Sequence, residues 1–522
     1  MNYTFPLSSI DTEYTPANSY VSGLLISPEF RITAIILLVA LASSLLTRIS
    51  TATWVKMLPY CLDRMLGGAS RKLKLPGPRG LPVVGVVHKL GPIPSVTYSK
   101  WAELYGPVFR APIGEREVLI VNSYRAGAAL LQLQSSAFVS RPTFHLFHQD
   151  FSSNRVYNVG ASPWDDSCAK RRKAIHIAAG KLAISDYIPT ITRETSGLLS
   201  NILSSSGHVI EGHDMIEHFM TRLIMSILYG VDFDYYRPSI VQEMVDVEHA
   251  IGALRVLGAS QSDYVPLLRV WQRLKGWVSP MGISEQKAHA QEIRERQTAL
   301  LVTLNQDLQS RMDMGDDTSS IMSNVWRNFG SKLNDSELES IARTGMGAVN
   351  NSAYSFSWLI GYMASHPDLQ EKAYEGLNSV YYGAPPVPED GEKIGYLAAL
   401  LNEGNRYFTI ARLSLPRETI SQSEYKGVSI PIGTMTIVNA HAINLDPEHF
   451  ERPTEFLPER WLNGRKGNIT RHEAPKTEAG VLHFAFGAGR RGCPGQSRES
   501  MSALGVPHTP YRLMEWYCFR FK

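Results

Sequence analysis

From position 86 onward, apolar residues recur at three- and four-residue spacing along most of the chain. That spacing predicts helices over residues 95–104, 126–133, 186–203, 215–229, 283–311, 335–365, 367–380 and 394–408. Short alternating runs at 108–112, 118–121 and 429–438 predict strands. Pro431 and Gly433 inside the last run make it an edge strand or a hairpin, because proline cannot donate to a ladder. The expected fold class is mainly α with a small β portion.

Upstream, residues 32–46 (ITAIILLVALASSLL) are fifteen residues without a charge. As a helix they cover roughly 22 Å, short of a hydrocarbon core of about 30 Å. Extension to Val55 reaches a spanning length, and the one charge it adds, Arg48, can snorkel to the interface. Residues 1–31 hold three acids and one base, whereas residues 48–80 hold seven bases and one acid. The positive-inside rule then puts the amino terminus in the lumen and the body in the cytosol. The rivals are a buried core helix and a cleaved signal peptide; the latter wants a basic start, which is missing here. The expected organisation is a lumenal segment 1–31, a transmembrane anchor 32–55, a basic and proline-rich hinge 56–85, and a body 86–522. Asn2-Tyr3-Thr4 matches a glycosylation acceptor on the lumenal side, a match that chance also produces.

Composition narrows the chemistry. With 44% hydrophobic and 19% charged residues over 522 positions the chain is globular, and a net charge of +3 does not argue for nucleic acid as a partner. Four cysteines in so long a chain give no disulfide framework and no C-x-x-C zinc pair. One of them stands out by its surroundings, Phe486-Gly-Ala-Gly489-Arg-Arg491-Gly-Cys493-Pro-Gly495. Glycines let backbone approach a flat ligand, and backbone N–H groups can tune a thiolate. Arg491 can pair with a ligand carboxylate and Phe486 can pack on a planar face.

This segment resembles the haem signature of the cytochrome P450 family, F-x-x-G-x-R-x-C-x-G, at every fixed position. Glu403-Gly-Asn-Arg406 resembles the family's E-x-x-R, and Pro458-Glu-Arg460-Trp461 its P-E-R-F/W, in the family's order. The resemblance implies a cytochrome P450 fold, haem b as cofactor, and Cys493 as the axial iron ligand. Phe486, Gly489 and Arg491 would line the cofactor, and Glu403, Arg406 and Arg460 would form a buried cluster. It also implies that Arg417, in Leu415-Pro-Arg417, faces a haem propionate. Residues 162–173 resemble the helix whose Trp and Arg hold the propionates, which implies Trp164. The usual W-x-x-x-R spacing meets Cys168 instead; Arg171, with its neighbour Arg172 as the alternative, lies on nearly the same face two turns on, or the basic helix simply faces a reductase.

Two departures stand out. Gly347-Ala348-Val349-Asn350-Asn351-Ser352 occupies the place of the family's A/G-G-x-D/E-T. Gly347 and Ala348 leave room for dioxygen and substrate, but amides replace the proton-relaying acid and alcohol. The catalytic candidates are therefore Asn350, Asn351 and Ser352, with protons arriving through water, Ser352 or the substrate's hydroxyl; drift in a poorly active chain is the other reading. The second departure is the carboxyl end. Only 29 residues follow Cys493, and Gly505, Pro507 and Pro510 break a helix there, so the end resembles a truncated or mis-spliced one.

Within the family the chain is similar to fungal hydroxylases of phenylacetate and of small phenols such as m-cresol and 3-hydroxybenzyl alcohol in patulin-like polyketide pathways. The stretches around Ser140-Arg-Pro-Thr-Phe144, Ser162-Pro-Trp164 and Leu415-Pro-Arg417 carry that likeness. Phe144, Phe147 and Ala348 are the pocket candidates, with ordinary loop packing the alternative for the two rings. No base stands in residues 347–352 to receive a carboxylate; Arg412 would do so or face a propionate. The expectation is a single-pass endoplasmic reticulum protein in contact with membrane lipid, its haem-thiolate domain cytosolic. It would hydroxylate a small neutral phenol in secondary metabolism with dioxygen and electrons from NADPH–cytochrome reductase. A phenylacetate hydroxylase of aromatic catabolism, a haem-thiolate isomerase or dehydratase, and an inactive truncated haemoprotein are the alternatives.

Overall fold

The computed structural model describes residues 73–494, apart from 82–83, 115, 153–155, 181–182, 184, 205–211, 234–237, 256–262, 265–284, 317–318, 383–394 and 463–482. The chain divides into Met1–Arg71 and Lys72–Lys522. The expected anchor 32–55, the acceptor Asn2, most of the hinge and the unusual carboxyl end lie outside the described residues. Among the described residues, no helix is long and apolar enough to cross a membrane.

The body opens on α1 (Pro94–Tyr105), started by a proline whose missing N–H costs nothing at that position and stopped by Gly106 at φ 91°. β1 (Val108–Ile113) and β2 (Arg116–Val121) follow as an antiparallel pair with Val108 opposite Val121. Gly114 turns between them at φ 60°, where any Cβ would sit 2.0 Å from the Tyr264 carbonyl oxygen. Next come α2 (Tyr124–Gly127), which runs on into a wider turn at Ala128–Leu133, and α3 (Asp166–Ala178), capped by Asp165.

The helical mass is α4 (Ile188–Ser204), α5 (Gly212–Tyr229), α6 (Pro238–Arg255), α7 (Glu285–Asp313), α8 (Ile321–Phe329), α9 (Asp335–Met346), α10 (Val349–Ala364), α11 (Pro367–Tyr381) and α12 (Gly395–Phe408). Short β3 (Arg417–Glu418), β4 (Ser423–Tyr425), β5 (Val428–Ile430) and β6 (Met435–Val438) precede α13 (Ala440–Asn444). The mainly helical class with few strands is as expected.

Three details differ from the pattern. The run at 335–365 is two helices, because the backbone tightens at Gly347 and Ala348: Ala348 N bonds Gly345 O at 3.1 Å, three residues back rather than four. The run at 429–438 is not one strand. Pro431 and Gly433 divide it between two sheets: Val428–Ile430 pairs with Ser423–Tyr425, while fully buried Met435–Val438 lies inside a sheet of order β1-β2-β6-β3. The third is that α6, α8 and α13 are additional to the predicted set. α8 is only nine residues long, started by a capping box of Ser320 and Ser323 and held by Met322 and Val325 in the core.

Two histidines, buried His483 and half-buried His441, set an acid limit on this fold. Burial, with Arg406 beside it, pushes His483 down to about 4, and burial beside Arg412 does the same to His441. Both sit below the ordinary 6.5, so between roughly pH 6.5 and pH 4 the unfolded chain binds protons that the folded chain refuses. Stability is complete above that window and falls as pH drops through it, by about 3 kcal/mol for fully buried His483. Urea unfolding at pH 7.5 and pH 4.5 should show the loss. His483→Gln should flatten it by about that amount; an unchanged slope would reject the assignment.

Candidate functional site: the cysteine loop and its arginines

The chain reaches the loop through Phe484–Phe486, where buried Phe484 meets Tyr124 edge-on at 5.4 Å. Gly487 at φ 72° and Gly489 at φ 60° then fold it back. Gly489 admits nothing larger: a Cβ there would stand 2.0 Å from Leu131 O. Its own N–H donates to Gln132 Oε1 at 2.8 Å. A single turn at Gly489–Arg491 leads to exposed Cys493, whose N–H donates to Phe486 O at 2.9 Å. The two ends of the motif are thus tied to each other across six residues of backbone.

Four guanidiniums gather beside this loop. Arg491 is buried and donates to Ser162 O at 2.6 Å, to Gly160 O at 3.2 Å and to Cys168 Sγ at 2.9 Å, with its guanidinium 5.7 Å from the Trp164 ring centre. Arg417 donates to Phe138 O at 3.3 Å and Ala488 O at 2.9 Å. Arg172 donates to Gly492 O at 2.8 Å, and Arg141 to Gly160 O at 3.0 Å and to Leu415 O and Pro416 O. Among the described residues none of the four pairs with a carboxylate; every acceptor is a carbonyl or the Cys168 sulfur.

Burial first, then neighbouring guanidiniums, push Arg417 down to about 9 and also lower Arg141 and Arg172. Arg417 Nε and Arg491 Nε are buried without a partner. Such an assembly of cations and unspent donors fits an anionic ligand with several oxygens, next to a thiol and a glycine-lined backbone that a flat group can approach.

Behind the loop stands the second cluster. Glu403 and Arg406 are both wholly buried and bond twice, at 2.7 and 2.9 Å, across one turn of α12. Arg460 reaches Glu403 Oε2 at 3.1 Å, Trp461 Nε1 donates to the same oxygen at 2.9 Å, and Leu457 N–H to Oε1 at 2.8 Å. The remaining Arg406 donors reach the carbonyls of Asn444, Pro453 and Glu455. The carboxylate is saturated on every side, so the cluster pins the segment from 444 to 461 against α12.

The family model for cytochrome P450 matches residues 75–497. The chain belongs to the cytochrome P450 family. A 3-hydroxyphenylacetate 6-hydroxylase of Emericella nidulans is 31% identical over 447 residues, covering 84% of this chain and 82% of its own. A phenylacetate 2-hydroxylase of the same fungus is 31% identical over 441 residues, covering 82% and 81%. A zebra fish cytochrome P450 solved with progesterone shares the fold, with a TM-score of 0.64 at 18% identity over 80% of this chain and 91% of that one. The protein is therefore a haem b monooxygenase that draws electrons from a reductase and uses dioxygen with its substrate.

In this P450 the amides sit where the two helices of the 335–365 run part. Ala348 and Asn351 are exposed, and Ser352 is half-buried. Half-buried Asn350 lies toward α6, its Nδ2 3.9 Å from where a Cβ on Gly252 would stand, and its Oδ1 is buried without a partner. The two amides are thus separated: Asn351 is open and Asn350 is turned into a helix contact.

The other sequence candidates divide similarly. Arg171 is wholly buried, donating to Val156 O at 2.8 Å and Ser340 Oγ at 2.6 Å, with its Nη2 buried without a partner; its helix neighbour Arg172 reaches Gly492 O of the loop. Phe147 is buried against Phe151 and Tyr157, at 5.4 and 5.8 Å, and Phe144 lies against Tyr264 and under Arg116. Both rings are packed against neighbouring aromatic side chains. Sequence reasoning missed Arg141 and the Cys168 contact; it preferred Arg171 to Arg172, and it held Trp461 only as part of a motif, without its bond to Glu403. Arg141 stood inside a quoted motif, Ser140-Arg-Pro, but nothing local says that an arginine before a proline will fold under a loop some 350 positions away.

Proposed function

We propose that this P450 hydroxylates a small neutral aromatic, a phenol of the m-cresol or 3-hydroxybenzyl alcohol type, in fungal secondary metabolism. The observation that carries this reading is the composition of α10, VNNSAYSFSWLIGYMA, which bears no charged side chain. Exposed Ala348 and Asn351 at its start offer space and an amide, and no cation to seat an acid. The names of the two Emericella relatives favour a second reading, an aryl acetate, for which exposed Arg412 would be the carboxylate's partner. The proposal includes anchorage in the endoplasmic reticulum membrane through residues 32–55 and electrons from NADPH through a cytochrome reductase.

When bound, haem supplies the activation of dioxygen, so that one oxygen atom enters the substrate and the other leaves as water with two electrons and two protons. Cys493 Sγ would hold the iron, Arg417, Arg491 and Trp164 would hold the carboxylates, and Phe486 and Gly489 would shape the loop against the ring. Asn351 cannot ionise, so it acts by orientation: its Oδ1 accepts from, and its Nδ2 donates to, an ordered water or the substrate's hydroxyl. Ser352 Oγ passes a proton along the same route.

Product formed per NADPH consumed tests this relay. Asn350→Asp with Asn351→Thr should leave coupling unchanged or lower it with m-cresol and 3-hydroxybenzyl alcohol. A severalfold rise would mean that the amides are decay rather than design. Arg412→Gln separates the substrate readings: it should leave spectral binding of m-cresol unchanged, whereas phenylacetate turnover by the unaltered protein that is lost, together with phenylacetate binding, in Arg412→Gln would establish the aryl acetate.

A further inference from the structure

Residues 159–162 form a backbone strip fastened from two sides. Arg491 of the cysteine loop donates to Gly160 O and Ser162 O, and Arg141 donates to Gly160 O at 3.0 Å. On α9, three residues before Gly347, Thr344 Oγ1 takes the Val159 N–H at 3.0 Å. Ala161 O, between the two carbonyls that hold Arg491, goes to a histidine. His148 Nε2 meets it at 3.2 Å, while His148 Nδ1 meets the Phe144 N–H at 3.0 Å. A carbonyl can only accept and a backbone N–H can only donate. The ring is therefore neutral, with its proton on Nε2. A second proton, on Nδ1, would face the Phe144 N–H donor to donor.

His148 is buried on the turn Leu146–Phe151. That turn is wide: Ser152 N–H bonds Phe147 O, five residues back, at 2.9 Å, a geometry frequent at functional sites. Phe147 and Phe151 share a core with Ile251 of α6, whose neighbour Gly252 stands beside Asn350. Other ionisable groups reach the turn from each side. His145 and Asp150 pair at 3.0 Å. Asp263 Oδ1 takes the Leu146 N–H at 3.0 Å, and burial pushes that carboxyl up from its ordinary value. Arg116 of β2 lies 5.5 Å from the Phe144 ring centre. Tyr157, which packs on Phe147, donates to Gln297 of α7, and Gln297 joins Glu248 of α6 to Arg343 of α9 at 2.7 Å each.

We propose that neutral His148 clasps the turn Leu146–Phe151 to the 159–162 strip, and that its protonation releases the turn and weakens substrate binding. His148 is a positioning residue that acts through Phe144 and Phe147. The folded contacts use Nδ1 as an acceptor, so the clasp is complete where the ring is neutral and is lost as pH falls. The effect on binding rests on the small-phenol reading; the release of the turn does not.

The haem-loaded full chain is to be compared at about pH 7.5 and about pH 5.5, which bracket the usual histidine range. The readouts are hydrogen exchange, corrected for the intrinsic effect of pH on amides, and spectral titration with m-cresol. Amides of residues 144–152 should exchange about tenfold to hundredfold faster at the lower pH, the scale of one buried donor left unpaired. Those of β2 should keep their rates. m-Cresol, a phenol uncharged at both values, should bind more weakly at the lower pH. His148→Asn keeps an acceptor for the Phe144 N–H and cannot ionise, so both changes should vanish in it. Asp263→Asn and His145→Gln should retain both.

Equal exchange at the two pH values in the unaltered chain would overturn the proposal. So would an acceleration shared by β2, which is general unfolding, or one that persists in His148→Asn, which would hand the clasp to Asp263 or His145. Binding of m-cresol that ignores pH while the turn opens would overturn the link to substrate. Absence of m-cresol binding at both values, with the exchange change intact, would reject the phenol and support the clasp alone.

Discussion

Cys493→Ser is expected to abolish the thiolate-type Soret band of the reduced carbon monoxide complex and to end turnover. The loop would survive the change. Its shape is held by the Cys493 N–H to Phe486 O bond, by Gly492 N–H to Gly489 O at 2.9 Å, and by Gly489, which has no room for a Cβ. Serine keeps all of these, so only the ligand atom differs. A serine hydroxyl is rarely ionised near neutral pH and is a poor electron donor to iron, where the thiolate favours O–O cleavage. A serine variant with near-normal urea stability but no thiolate band separates ligation from folding. Retention of that band would transfer the ligand role to another residue and remove the ground for the proposed hydroxylation.

Glu403→Gln is expected to be strongly destabilising. The carboxylate takes two bonds from Arg406, one contact from Arg460, and N–H donors from Leu457 and Trp461, all away from solvent. An amide removes the charge and turns one acceptor into a donor facing other donors. Breaking a buried pair in this way costs about 3–5 kcal/mol, against a total domain stability on the order of 5–15 kcal/mol. The expected result is a chain recovered mostly insoluble or without haem, with a soluble fraction that unfolds at much lower urea. An exposed pair is the contrast: Arg452 meets Glu455 at 3.1 Å with both side chains more than half exposed. Arg452→Ala should therefore change stability by less than about 1 kcal/mol. Equal losses in the two variants would show that burial is not what gives the Glu403 cluster its weight.

The two clusters differ in how far they can be read from the chain. Glu403 and Arg406 are visible because helical periodicity puts positions three apart on one face, and Arg460 follows from a neighbouring motif. The Cys493 loop is visible because its glycines are required by backbone geometry that is nearly local. The arginine set is not visible in this way. Arg141, Arg172, Arg417 and Arg491 come from four separated segments, and only the folded chain shows that they share one place. The same limit explains Arg171 and Arg172. Adjacent residues on a helix point about 100° apart, and which of them meets the loop depends on how α3 is rolled against α9, a contact between residues some 170 positions apart.

By itself the sequence determined the family, the helical class, the glycine-lined cysteine loop and the Glu–Arg–Arg cluster. Each rests on local periodicity or on a motif whose spacing carries its own stereochemistry. Tertiary structure alone decided which arginines converge, that Cys168 seats Arg491, that the 429–438 run serves two sheets, and that Asn350 and Asn351 face different surroundings. Those outcomes depend on helix rotation and on pairing between distant segments. A burial pattern constrains such rotation only to within a face, whereas a hydrogen bond of 2.8 Å from Arg172 to Gly492 O fixes it to one residue.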